Sequence, residues 1–116
     1  MKKVLKGPWK KNYDYRFIAG EDLDGKEVTV TIDKVGIDEA FNGREKEDVV
    51  VVSFKEADKM MVLNKTNAKV IAKIAGSQNV EDWTGTKIIL RPQMVNAFGQ
   101  QTLAVRVKED LSKYKV

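Results

Sequence analysis

The 116-residue chain contains no cysteine and no histidine. Lack of cysteine excludes disulfides, a thiolate nucleophile and Cys-based metal sites. Lack of histidine removes the commonest general base and the commonest transition-metal ligand. Catalysis would fall to carboxylates, Lys, Tyr, Ser or Thr, and these form no constellation. Asp22, Asp24, Glu39, Glu45, Glu47 and Asp48 are scattered over turns and loops. The stretch DLDGKE lacks the run of oxygen ligands and the closing Glu of a calcium loop, and there is no Walker loop and no GxGxxG. These gaps predict a protein that is not an enzyme and uses no metal or other cofactor.

Long apolar runs are also missing. No segment approaches the length of a membrane span, so no membrane partner is expected. The basic start MKKVLKG is not followed by the apolar stretch of a signal peptide, which points to a cytoplasmic protein. The composition is that of a soluble globular chain, and its length suits one domain with a core needing no staples. A net charge of +4 and a pI near 9.2 suit an anionic partner.

Residues 1–20 are basic and aromatic without a sustained period, and are read as an N-terminal arm that packs partly on the body. Residues 21–108 form the domain, and 109–116 a polar tail. In DLDGKEVTVTIDKV, Val28, Val30 and Ile32 alternate with Thr29, Thr31 and Asp33, the mark of a half-buried strand. It leads to GIDEAFNGREKED, read as a loop, where Asn42-Gly43 favours a tight hairpin turn. DVVVVSF returns as strand 2, and KMMVL gives strand 3. In NKTNAKVIAKIAG the apolar residues recur at helical spacing, with Asn64 or Thr66 as cap and Gly76 as stop. TKIILRPQMV is strand 4, with Ile88 and Leu90 inward and Pro92 at an edge or a bulge. QTLAVRV is strand 5, with Leu103, Val105 and Val107 inward and Thr102, Ala104 and Arg106 outward.

This order, β-β-β-α-β-β, predicts an all-β domain with one helix: a five-stranded OB-fold-like barrel whose helix plugs one end. A five-stranded sheet with the helix on one face is the rival architecture.

In an OB-fold the loops after strands 1 and 4 flank a ligand groove floored by strands 2 and 3. Here the first loop carries Phe41, Arg44 and Lys46, and the second carries Phe98. Rings on which bases stack and cations that follow phosphates are what a single-strand binder needs. Phe54, Lys59 and Met61 on strands 2 and 3 are candidate floor residues, although the parity of strand 2 is open. Arg91 and Arg106 project outward from strands 4 and 5 if Leu90 and Val105 point inward; arginine offers both phosphate contacts and stacking, and ordinary solubility explains a lone arginine on a strand equally well. Folding back of Phe41 and Phe98 over the strand ends is the alternative for each ring. Lys65, Lys69 and Lys73 make a ridge on the helix, read as its solvated side.

DLDGKEVTVTIDKV, MMVLNKTNAKVIAKIAG, EDWTGTKIILRP and VNAFGQQTLAVRV together resemble, in the same order, a family of small phage and prophage proteins. The resemblance covers roughly residues 20–107. It implies an OB-like domain of a bacterial host cell's phage, encoded among replication and recombination genes and binding single-stranded DNA. Leu63-Asn64-Lys65-Thr66-Asn67 is similar to that family's strand-to-helix junction, Trp83 with Gly85 to its approach to strand 4, and Ala97-Phe98-Gly99 to its last hairpin. The ending LSKYKV differs from the acidic tail with which housekeeping single-strand binding proteins recruit partners. Three expectations follow: single-stranded DNA as partner, with RNA the other candidate; self-association through strands 2 and 3 or the arm; and, as the alternative function, a protein-interaction or assembly module on the same barrel.

Overall fold

Alternation of Thr and β-branched residues from Val28 onward sets up β1 (Val28–Phe41), which turns back as β2 (Lys46–Phe54). The two-residue β3 (Met61–Val62), helix α1 (Lys65–Ala75), β4 (Lys87–Ala97) and β5 (Gln100–Val107) complete the chain. These elements come from a computed structural model that describes residues 16–41, 45–97 and 99–109, the side chains of Phe41 and Ala97 excepted. A 3-10 turn at Gly20–Leu23 precedes β1 and another at Val80–Trp83 separates α1 from β4, so the order differs from the uninterrupted succession expected. The five strands form one antiparallel sheet in the order β3-β2-β1-β4-β5.

β1 belongs to two ladders. Its first residues, Val28–Thr31, pair with Leu90–Lys87 of β4, and from Ile32 onward it pairs with β2. Between the two, Ile32 faces Phe54 while Lys34 faces Ser53, so Asp33 is an extra residue on β1. Such a bulge bends the strand and inverts its side-chain parity. Val30 and Ile32 are buried before it, and Val35, not Lys34, packs against the core after it. The loop before β4 is tied to this bend: Gly85 donates its N–H to the Ile32 carbonyl (2.8 Å) and Thr84 Oγ1 donates to the Asp33 carbonyl (2.9 Å).

The strand continues well beyond the expected boundary. All of GIDEAF is strand, with Phe41 on the last rung opposite Lys46, so neither lies on a loop. The Asn42-Gly43 turn lies outside the described residues.

The core joins Val30, Ile32, Val52, Phe54, Met61, Ile88, Leu90 and Val107 of the sheet to Val70, Ile71 and Ala72 of α1, with Leu23 and Trp83 closing its ends. Asn64 caps α1 by accepting from the Asn67 N–H (2.8 Å), and Gly76 stops it in the left-handed region at φ +71°. Gly20 lies against the backbone of Leu103, where a Cβ would sit 2.6 Å from the carbonyl oxygen. Residues 16–18 also join the body: Ile18 donates to Met60 (2.8 Å) and Met60 to Arg16 (2.8 Å).

The described sheet does not close. Between the edges of β3 and β5 stands the first turn of α1, where the side chain of Asn67 is bonded to the backbone of β5 on both its oxygen and its nitrogen (3.0 Å each).

Candidate functional site

Arg91 and Arg106 face each other across β4 and β5. The phase of the ladder follows from two bonds: Lys108 donates to Ile89 of β4 (2.8 Å), while Val107 donates away from β4, to Asn67 (3.0 Å). Even-numbered β5 residues thus turn their backbone toward β4, and Arg91 and Arg106 form a hydrogen-bonded pair, with Cα atoms about 5.5 Å apart. Their neighbours Leu90 and Val107 point into the core, so both arginines project from the opposite face. Among the described residues neither guanidinium has a carboxylate partner; Arg106 makes only a long bond to the carbonyl of Val105 (3.4 Å).

Placing two like charges on one rung is unfavourable, and nothing in the described fold requires it. The same phase explains Pro92. It stands opposite Val105, on a rung whose backbone groups point outward, and beyond the last β1 partner, Leu90. Its missing N–H leaves no gap in a ladder.

The face around this pair is basic. Lys87, opposite Thr31, and Lys108, beside Ile89, share it. Lys108 is neutralised by Glu27 (2.7 Å). Glu56 accepts from Thr31 N (2.7 Å) and Thr31 Oγ1 (2.6 Å); these bonds, with a coulombic pull from Lys87, hold its carboxyl below the usual range. Lys87 and Lys108 were missed as members of this face. Their alternation with Ile88 and Val107 was the available signal.

The other expected site residues are placed differently. Phe54 and Met61 are core residues, 5% and 1% exposed, and cannot form a groove floor. They face inward because Val52, Phe54 and Met61 share the Ile32 side of the sheet, which leaves Val51 and Val62 on the other. Lys59 pairs with Asp22 (3.1 Å). Lys46 is exposed on the last rung of the β1–β2 arm. Arg44, Phe98 and the side chain of Phe41 lie outside the described residues.

From their shared ladder β1 runs thirteen residues to Phe41 and β4 runs seven to Ala97, in opposite directions. On straight strands that would be about 66 Å, more than the longest axis of the molecule, 52 Å. The strands therefore coil, but the register itself sends the two hairpins apart. Of the nine expected residues, the described structure pairs Arg91 with Arg106 on one rung, and Phe41 with Lys46 on another at the end of the β1–β2 arm.

A second surface is apolar. Ile37, 67% exposed, stands opposite the exposed Val50 on the β1–β2 arm. The same arm is held to the N-terminal side by Arg16, which bonds Asp38 Oδ1 (3.5 Å) and the carbonyl of Glu39.

Comparison with protein-family models, with curated proteins and with solved structures gives no match for this chain. Among the described residues no helix is long and apolar enough to cross a membrane, and no group of three or more acids is arranged to hold a metal ion.

Proposed function

We propose that this chain is a non-catalytic binder of single-stranded nucleic acid that grips phosphates with Arg91 and Arg106. The observation that carries this reading is the arginine pair itself: two half-buried guanidiniums on one rung of the sheet face away from the core, with no ion pair to a carboxylate among the described residues. A guanidinium presents a planar fork matched to phosphate oxygens, and two side by side can share one phosphate or hold neighbouring ones. The net charge of +4 acts in the same sense.

The strand order supports an OB-type reading of the domain. With α1 between β3 and β4 in sequence and its Asn67 bridging toward β5, the described sheet is what a five-stranded barrel leaves when a helix fills its last seam. The resemblance of residues 20–107 to phage and prophage proteins adds the setting we attach to it, DNA replication or recombination in a bacterial host.

Titration of labelled oligo-dT by fluorescence anisotropy across salt tests the reading. Affinity falls as salt rises, because phosphate contacts release counterions, with a log–log slope of about −0.7 per contact in single strands. The double variant R91A/R106A binds more weakly and loses about 1.4 from that slope. Absence of binding at low salt, or a double variant that binds like the parent, refutes the proposal.

A second reading rests on the exposed Ile37–Val50 rung: a protein-interaction or assembly module that buries the β1–β2 arm. It predicts a salt-insensitive oligomer in sedimentation experiments, dispersed by I37S, with no affinity for oligo-dT.

A further inference from the structure

Among the described residues the arginine pair has no ring beside it. Outward on β4 and β5 with Arg91 and Arg106 are Gln93, Val95, Thr102 and Ala104, by the register of the ladder. Among the described side chains the rings are Phe17, Phe54 and Trp83. Phe54 and Trp83 are in the core, and Trp83 Nε1 is committed to the carbonyl of Ser77 (3.0 Å). Phe17 is half-buried beneath the Arg16 guanidinium, 5.2 Å from its centroid. Among the described side chains, a base laid on this face would meet a carboxamide, short aliphatic groups and a hydroxyl, and no aromatic ring beside the guanidiniums themselves. A phosphate would meet paired forks.

We infer that the ligand class of this face is the phosphodiester backbone itself, recognised without regard to base or sugar. This deepens the nucleic-acid reading and rests on it. Affinity here is set by how many phosphates can reach the arginines, so a single strand of DNA, one of RNA and the same backbone without bases are equivalent ligands. Flexibility matters more than sequence, because a bare strand can bend its phosphates onto a twisted sheet.

The experiment compares three labelled ligands of equal length on the full chain at one low salt: oligo-dT, oligo-U and an abasic deoxyribose-phosphate oligomer. The three are expected to bind within about threefold of one another. A single stacked base would favour oligo-dT over the abasic chain by about fivefold or more. R91A/R106A is expected to weaken all three alike. R91K/R106K, which keeps the charge and removes the forks, is expected to lie between it and the parent. A common urea midpoint shows that the variants fold.

If oligo-dT binds tenfold or more tightly than the abasic oligomer, the backbone-only inference fails while the nucleic-acid reading stands. If binding survives R91A/R106A but is lost in K65A/K69A/K73A, which strips the exposed lysine ridge of α1, the site is misplaced and the inference fails. If none of the three ligands binds, both the inference and the reading beneath it fail.

Discussion

Val107 donates its backbone N–H to Oδ1 of Asn67, and Nδ2 of the same carboxamide donates to the carbonyl of Val105. The two backbone groups flank Arg106, as they would for a neighbouring strand in parallel register. The side chain thus takes the place of a peptide group on the open edge of β5. Asn67 is 1% exposed, and its bond from Val107 is buried. Asn67→Ala leaves the Val107 N–H unsatisfied and the Val105 carbonyl with only its long bond from Arg106 (3.4 Å), and the expected loss is about 1–3 kcal/mol, read from urea unfolding. Asn67→Asp keeps an acceptor for Val107 but turns an oxygen toward the Val105 carbonyl. It is expected to be equally unstable at neutral pH and to recover in part once its carboxyl is protonated and can donate.

Asn67 also shows how far the sequence could be read. Its spacing from Val70 and Ile71 places it on the buried side of α1, although it was not among the residues the apolar pattern singled out. What it pairs with depends on β5 passing forty residues later, which no local pattern encodes. Strand existence was legible from alternation, and the α1 cap and stop from Asn64 and Gly76. The extent and parity of β1 were not. The bulge at Asp33 carries no glycine or proline to announce it, and past that point the inward set changes from even to odd numbers. Parity in β4 and β5 has no such interruption, which is why Arg91 and Arg106 could be placed outward while Phe54 and Met61 were misassigned to a groove.

The rung shared by Arg91 and Arg106 predicts opposite effects on stability and binding. Like charges directly opposite in a ladder cost about 0.2–1 kcal/mol relative to a neutral pair. Arg106→Thr supplies a residue suited to an exposed strand and is expected to raise the urea midpoint slightly. The same change is expected to weaken oligo-dT binding severalfold. A variant more stable than the parent and equal to it in binding would show that the pair has no role in ligand contact.

Acid sensitivity follows from Asp22. Its Oδ2 accepts from the Ala19 N–H (2.8 Å) and from Lys59 Nζ (3.1 Å); the backbone bond, opposed by desolvation and helped by Lys59, holds the carboxyl below its ordinary range. Glu56 is lowered in the same sense, chiefly by the Thr31 hydroxyl. For a lowered carboxylate the unfolded chain binds protons more readily than the folded one. The stabilisation is therefore complete above the ordinary carboxyl range and is lost as pH falls through the folded value. Stability is expected to drop below about pH 4, and Asp22→Asn combined with Glu56→Gln to flatten that limb. Urea midpoints measured from pH 7 to pH 2 check this. An unchanged acid limb in the double variant would show that other carboxylates set it.

The bulge at Asp33 can be tested by removing it. Asp33→Ala keeps the extra residue and its carbonyl, which accepts from Thr84 Oγ1 (2.9 Å), so the exchange is expected to shift stability by about 0.5 kcal/mol or less. Deletion of Asp33 is a different matter. Ile32, Lys34 and Val35 then face Phe54, Ser53 and Val52 on successive rungs, with Lys34 still outward and Val35 still inward. What is lost is the bend, together with the carbonyl that accepts from Thr84 Oγ1. The deletion variant is expected to unfold cooperatively, at a urea midpoint lowered by the equivalent of about 1–3 kcal/mol. A midpoint equal to the parent's would show that the bend at Asp33 and its tie to Thr84 contribute nothing to stability.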